Sequence, residues 1–270
     1  MNFARALIAA PLFFIAVILI TGGFGGAIAA FSAVKPVNLG WCALSMFASY
    51  GFGDVLFLWS TRSLGVPGAL AIASSYPLWT AILGAARGEK ITFVQVSGLI
   101  LTVAGVVLVV LNGPKFPEHK HSKRAIAGGA ALAFVASLFW ALNSFSVAQS
   151  DIGLPALGAT AVVNSLRMII AMILSLIMSR LITPGSPVTL PLIELKRSLG
   201  LFVIEAFIGS YFFMYGLSHT PLAIGSALAS LAPVLSVPIA LALGHEKFSL
   251  PRTTGVILVV MGLCGLMRIF

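Results

Sequence analysis

Apolar residues fill this chain in nine long stretches, near 3–22, 40–61, 67–86, 92–112, 125–148, 156–180, 198–217, 221–243 and 253–269. Charged residues fall mainly between the stretches. A helix rises about 1.5 Å per residue and bilayer hydrocarbon is about 30 Å thick, so about 20 apolar residues cross it. Every stretch is of that order. Runs such as LILTVAGVVLVVL do not alternate between apolar and polar, as the strands of a membrane barrel must. Lipid offers no hydrogen-bond partner to a backbone, so a continuous apolar run in lipid must be helical. The pattern predicts an all-α, polytopic membrane helix bundle of about nine transmembrane helices. The stretch after the first span, FGGAIAAFSAV, stays apolar: either the first helix is long and tilted, or it ends in a Gly-rich turn.

Composition agrees. The 270 residues are 59% hydrophobic and 9% charged, against about 25% charged in an ordinary soluble domain. The net charge of +9 is no sign of nucleic acid, because the bases sit singly or in short clusters at segment ends, as in membrane loops. Cys42 and Cys264 both lie inside apolar segments, where lone thiols pack as small apolar groups. Arg5 ahead of an apolar run and the small residues of AIAAFSA mimic a secretory signal. An internal repeat argues against that, since the first segment has a partner deep in the chain.

The repeat is the main organisational feature. NFARALIAAPLFFI (2–15) aligns with NSLRMIIAMILSLI (164–177), matching Asn2 with Asn164, Arg5 with Arg167 and Ala9 with Ala171. Gly53 matches Gly209, Ala73 matches Ala229, Ser74 matches Ser230 and Pro77 matches Pro233. GEKITFVQVSGLILTVAGVVL matches GHEKFSLPRTTGVILVVMGLCGL, pairing Glu89 with Glu246, Lys90 with Lys247, Gly98 with Gly255 and Gly105 with Gly262. The chain therefore divides into a first repeat at 1–112, a basic linker at 113–124 and a second repeat at 125–270. The first repeat has four helices and the second five, so a complete first repeat needs one more helix ahead of Met1, either lost or encoded upstream. An odd number of helices per repeat sends the second copy through the membrane upside down. Inverted repeats mark secondary transporters, whose solute sits near mid-depth between the halves.

Arg5, Arg62, Lys115, Lys120, Lys123, Arg124, Arg180, Lys196, Arg197, Lys247 and Arg252 fall on one side, and Lys35, Arg87, Lys90 and Arg268 on the other. The richer side is expected in the cytoplasm, with the N-terminus inside and the C-terminus outside.

The GEK and HEK turns, the Pro-ended SSYP and SLAP, and FWALNS opening the second half together resemble the drug/metabolite transporter superfamily, in particular the EamA-type carriers. The resemblance covers nearly the whole chain. It implies a ten-helix fold, here without the first helix and its Trp-Gly signature. It also implies export of amino acids, drugs or other metabolites, and a cytoplasmic C-terminus, against the charge count.

Candidate site residues follow from polar or helix-breaking types inside apolar segments. Pro77 and Pro233 lack an N–H and free the carbonyls of Ala73 and Ala229, so both are expected to interrupt helices; Ser74, Ser75 and Ser230 lie beside the breaks. The bland reading is a packing kink healed by a serine. Glu205 lies well inside its segment, where an acid is costly and faces the bundle interior or water. It is the candidate for proton coupling and solute contact; a paired structural acid is the other reading. Asp54 either binds a solute amine or pairs with a nearby base, and the repeat sets it opposite Ser210, not Glu205. Trp140 and Asn143 share a helix face at i, i+3. Asn143 can donate and accept, as recognition of a zwitterion or sugar requires, or it bonds a neighbouring helix. Tyr76, Trp79, Tyr211 and Tyr215 either line the cavity or anchor at the interface. Arg5 and Arg167 read first as headgroup anchors, with a gating salt bridge as the sharper alternative. The paired glycines read as packing surfaces.

No HExxH or GxxxxGK[ST] pattern is present, and PEHKHSKR reads as a solvated linker, not a metal site. The expectation is a non-enzymatic secondary carrier without metal or cofactor. Its partners are a small-molecule solute and the bilayer of the cell membrane, not nucleic acid; a second copy of the chain is left open. A channel, or a scaffold completed by another chain, is the rival reading.

Overall fold

The structure, a computed structural model, describes residues 2–112, 122–182, 185, 187–242 and 249–267. Most of the basic linker, with His119 and His121, lies outside these residues, as do Glu246 and Lys247 of the second turn motif.

Among the described residues the secondary structure is helical throughout. Helix α1 (Asn2–Ile20) ends at Gly22 and Gly23, whose φ of 79° and 123° suit only glycine, and α2 (Phe24–Ser32) follows. Of the two readings of this stretch, the Gly-rich turn is the one that forms. Pro36 opens α3 (Pro36–Met46), where its missing N–H costs nothing. A π-helix (Phe47–Gly53) then runs into α4 (Asp54–Ala73), which is broken at Gly65 with φ 68° just ahead of Pro67. Next come α5 (Tyr76–Ala86) and α6 (Phe93–Leu111), the latter started by a reciprocal Thr92–Gln95 capping box. The second half comprises α7 (Lys123–Gln149), α8 (Ala159–Ile182), α9 (Leu192–Phe202) and a second π-helix (Val203–Gly209). It continues through α10 (Ser210–His219), α11 (Leu222–Ala229), α12 (Ala232–Ala242) and α13 (Leu250–Leu266).

Seven helical stretches are long and apolar enough to cross a membrane. One of them, Pro36–Ala86, is 51 residues long and contains two crossings because it breaks at Gly65. With the shorter apolar Leu250–Leu266, the described residues form nine spans, as the apolar pattern predicts. Large apolar side chains face outward along them, among them Phe93 at 86% exposure and Leu19 at 75%. Lipid is the solvent that makes such a surface stable.

The helices gather into two compact units, and each draws on both repeats. In the unit of residues 1–51 and 143–219, α1 lies along its repeat mate α8; Ala6, Ala9 and Phe13 pack with Met168, Ala171 and Ala206. In the unit of residues 52–142 and 220–270, α6 crosses its mate α13 at the equally spaced glycines of the two repeats. A Cβ on Gly98 would stand 2.6 Å from the Gly262 carbonyl oxygen, and one on Gly105 would stand 2.5 Å from that of Gly255. The sequence matches Gly98 with Gly255 and Gly105 with Gly262; the structure pairs them crosswise. Crosswise pairing means antiparallel helices exchanged by a twofold axis, the arrangement an inverted repeat demands.

The turn from α5 to α6 explains the GEK motif. Gly88 takes φ 96°, and the Glu89 Oε2 accepts a 2.9 Å hydrogen bond from the Leu222 N–H at the start of α11. A carboxylate there satisfies an otherwise orphan donor and faces the positive end of the helix dipole.

In the first unit Asn38, 1% exposed, is a bolt. Its Nδ2 donates to the carbonyls of Ser150 (3.0 Å) and Ile152 (3.1 Å), and its Oδ1 accepts from the Lys35 N–H. Asn38→Ala is expected to lose about 1–3 kcal/mol by stranding these groups, read as a lower unfolding midpoint in detergent.

Candidate functional site

In the first unit the repeated Asn-x-x-Arg pattern makes the same local contact twice. Arg5 Nη1 donates to Asn2 Oδ1 at 3.3 Å, and Arg167 Nη1 donates to Asn164 Oδ1 at 3.0 Å. Residues three apart meet on a helix surface, so the motif orients each guanidinium. Beyond that the two arginines differ. Arg5 grips Glu205 with both prongs, Nε to Oε2 at 2.7 Å and Nη2 to Oε1, and its guanidinium lies 5.3 Å from the Tyr50 ring centre. Glu205, its side chain 54% exposed, therefore has a counter-ion, the paired-acid arrangement that sequence left open beside proton coupling. Arg167 is 3% exposed. It donates to Ser45 Oγ at 3.0 Å and to Asn143 Oδ1 at 3.5 Å, besides Asn164. This burial corrects the headgroup-anchor reading of Arg167: the side chain turns into its unit, where the polar side chains of Ser45, Asn143 and Asn164 receive it.

Glu205 sits on the second π-helix, and the first π-helix, Phe47–Gly53, occupies the same place in the repeat, since Gly53 matches Gly209. π-turns are rare and concentrate at functional sites. Neither could be read from hydropathy; the only trace in the sequence is that matched glycine.

The same unit holds a cavity of about 220 Å³ lined by Asp151, Thr160, Tyr211, Tyr215, Ser218 and His219 among others. Tyr211 and Tyr215 are among its walls. Their rings stack at 6.4 Å, and Tyr215 stacks on His219 at 4.0 Å. Asp151 and His219 were not singled out by sequence, because both fall between the long apolar stretches.

The second unit brings together Asp54, Trp140 and Tyr76. Trp140 Nε1 donates to Asp54 Oδ1 at 3.2 Å, and the Trp140 ring packs on Phe57 at 5.2 Å and edge-on to Tyr76 at 6.2 Å. Tyr76 Oη donates to the Ser226 carbonyl at 2.9 Å, tying α5 to α11. Below Tyr76 the chain is interrupted at Ser74–Ser75, between α4 and α5, with Pro77 at the second position of the new helix. The matched interruption at Ser230–Leu231 separates α11 from α12, with Pro233 in the same place. Ser74 and Ser230 are 4% and 7% exposed, and Ser230 Oγ returns its proton to the Ala227 carbonyl at 2.7 Å. Trp79 packs edge-on against Phe134, with ring centres 5.4 Å apart. The polar candidates thus fall into two sets: Glu205 and Asn143 in the first unit, and Asp54, Trp140, Tyr76 and the serines in the second.

A model of the family described as the EamA-like transporter family matches residues 1–111 and 127–268. No curated protein matches this sequence. Among solved structures, one described as "Crystal structure of protein" is 17% identical, with 96% of this chain and 98% of that chain covered and a TM-score of 0.59. At that identity the likeness concerns the fold alone. The family match runs through both repeats, taking in the α1–α8 and α6–α13 pairings alike, so this chain belongs to the EamA-like transporter family of the drug/metabolite transporter superfamily and is a multi-pass membrane transporter.

Proposed function

We propose that this transporter is a secondary active carrier that exports a small metabolite, an amino acid, drug-like molecule or related solute, across the cell membrane by alternating access. The observation that carries the reading is the bidentate Arg5–Glu205 ion pair on a π-turn inside a membrane span. A proton arriving at the carboxylate removes the charge that holds Arg5, so the contact opens. Such a pair can couple a proton or a charged solute to helix movement. Within the first unit Asn143 offers a donor and an acceptor to a small polar solute; within the second, Asp54, Trp140, Tyr76, Ser74, Ser75 and Ser230 offer donors, acceptors and ring faces. The helix interruptions at Pro77 and Pro233 leave backbone carbonyls for the same purpose.

Purified protein in liposomes is expected to give saturable uptake and counterflow, in which unlabelled solute on one side drives labelled solute across. Non-saturating conductance without counterflow would identify a channel and end the carrier reading.

A further inference from the structure

We propose that Arg167 is the docking point for a carboxylate of the transported solute, an acid that the protein supplies to the repeat-related Arg5 but withholds from Arg167. The proposal rests on the carrier reading above and specifies its cargo.

The register that matches Gly53 with Gly209 matches Ser49 with Glu205. The pseudosymmetry that carries Arg5 onto Arg167 therefore carries the carboxylate of Glu205 onto Ser49. Ser49 is 8% exposed and its Oγ is buried with no hydrogen-bond partner. Its π-helix lies against α8, the helix that bears Arg167: a Cβ on Gly51 would meet the Leu174 side chain at 3.2 Å. Ser45, one turn before Ser49, is the residue that Arg167 Nε contacts. An orphan hydroxyl thus stands where the symmetry calls for an acid.

Arginine cannot shed its proton, and a charge taken out of water needs compensation. Among the described residues Arg167 makes no ion pair; its partners are the neutral oxygens of Ser45, Asn143 and Asn164. Those bonds use three of the five guanidinium donors. One hydrogen remains on each terminal nitrogen, and together they form the fork that grips two carboxylate oxygens. Asn143 adds an amide beside that fork, which ties it to the same solute group. At 3% exposure the guanidinium does not reach a lipid headgroup. A free inorganic anion shares the chemistry of a solute carboxylate, and the experiment separates the two.

The first measurement needs no ligand. Ser49→Glu restores the absent acid and Ser49→Gln is its neutral control. The Ser49→Glu protein is expected to melt at least ~3 °C above Ser49→Gln. In an Arg167→Gln background the order should reverse, since the new charge then has no partner. Ser49→Glu melting below Ser49→Gln with Arg167 in place overturns the proposal. The second measurement compares free L-amino acids and simple monocarboxylates with their amides as stabilisers of the wild-type protein, with sodium nitrate as the bare anion. Stabilisation by acids alone, lost in both Arg167→Gln and Ser49→Glu, supports a solute carboxylate. Equal shifts from the amides, a shift from nitrate as large as from any acid, or no response across the panel overturns it. Counterflow of a neutral solute alongside those negative results would leave the carrier reading standing and remove only the anionic cargo.

Discussion

Gly262→Leu is expected to abolish recovery of folded protein, and Gly105→Leu to do nearly the same. At Gly262 even a bare Cβ would lie 2.5 Å from the Gly98 carbonyl oxygen and 2.6 Å from the Thr102 nitrogen; at Gly105 it would lie 2.8 Å from the Val259 nitrogen. Backbone atoms held in helices cannot yield as a side-chain tip can. Ordinary overpacking costs about 1–3 kcal/mol, and here two whole helices must separate, so the loss should exceed ~3 kcal/mol. Membrane helices associate through close packing and not through a hydrophobic effect, so lost proximity has no substitute. Gly128→Leu is the control, because a Cβ there meets nothing within 4 Å. Detergent-solubilised variants compared by size-exclusion profile and melting midpoint provide the check. A Gly262→Leu protein that elutes and melts like wild type would show that α6 and α13 do not cross at these residues.

Breaking the Arg5–Glu205 pair is the second large effect. Glu205→Gln removes the negative charge that both prongs of Arg5 grip inside a span. Removing one partner of a fully buried pair costs about 3–5 kcal/mol. Glu205 is about half exposed, so the loss should be nearer ~1–2 kcal/mol, and Arg5→Glu should cost more, because two carboxylates then face each other. The exchanged double variant Arg5→Glu/Glu205→Arg should recover most of the stability, since opposite charges meet again. Transport should separate from stability: Glu205→Gln should keep counterflow but lose proton-driven accumulation. Intact proton-driven transport in Glu205→Gln would remove Glu205 from the coupling role.

The membrane character of the chain was legible residue by residue. LILTVAGVVLVVL can only be a helix in lipid, and it is most of α6. The glycine contact was legible too, because small residues two turns apart repeat in both halves. What hydropathy could not show was phase. A π-turn carries one residue more per turn and rotates everything beyond it, so helical angles counted at a constant step fail past Phe47 and past Val203. Arg5 and Arg167 shared an alignment column and a single sequence reading. The structure gives one of them a carboxylate and the other three neutral oxygens. Asp54 and Trp140 carried separate functional readings in the sequence, yet they form one hydrogen-bonded pair.

Sequence by itself determined that this protein lives in lipid, spans it with helices and is built from two copies of one unit. Those properties follow from the length of apolar runs and from the inability of hydrocarbon to hydrogen-bond a backbone, both of which are local. Tertiary structure alone decided which charges are compensated. Arg5 and Glu205 lie 200 residues apart, and only folding brings them within reach. Coulombic pairing falls off with distance through space and takes no account of distance along the chain.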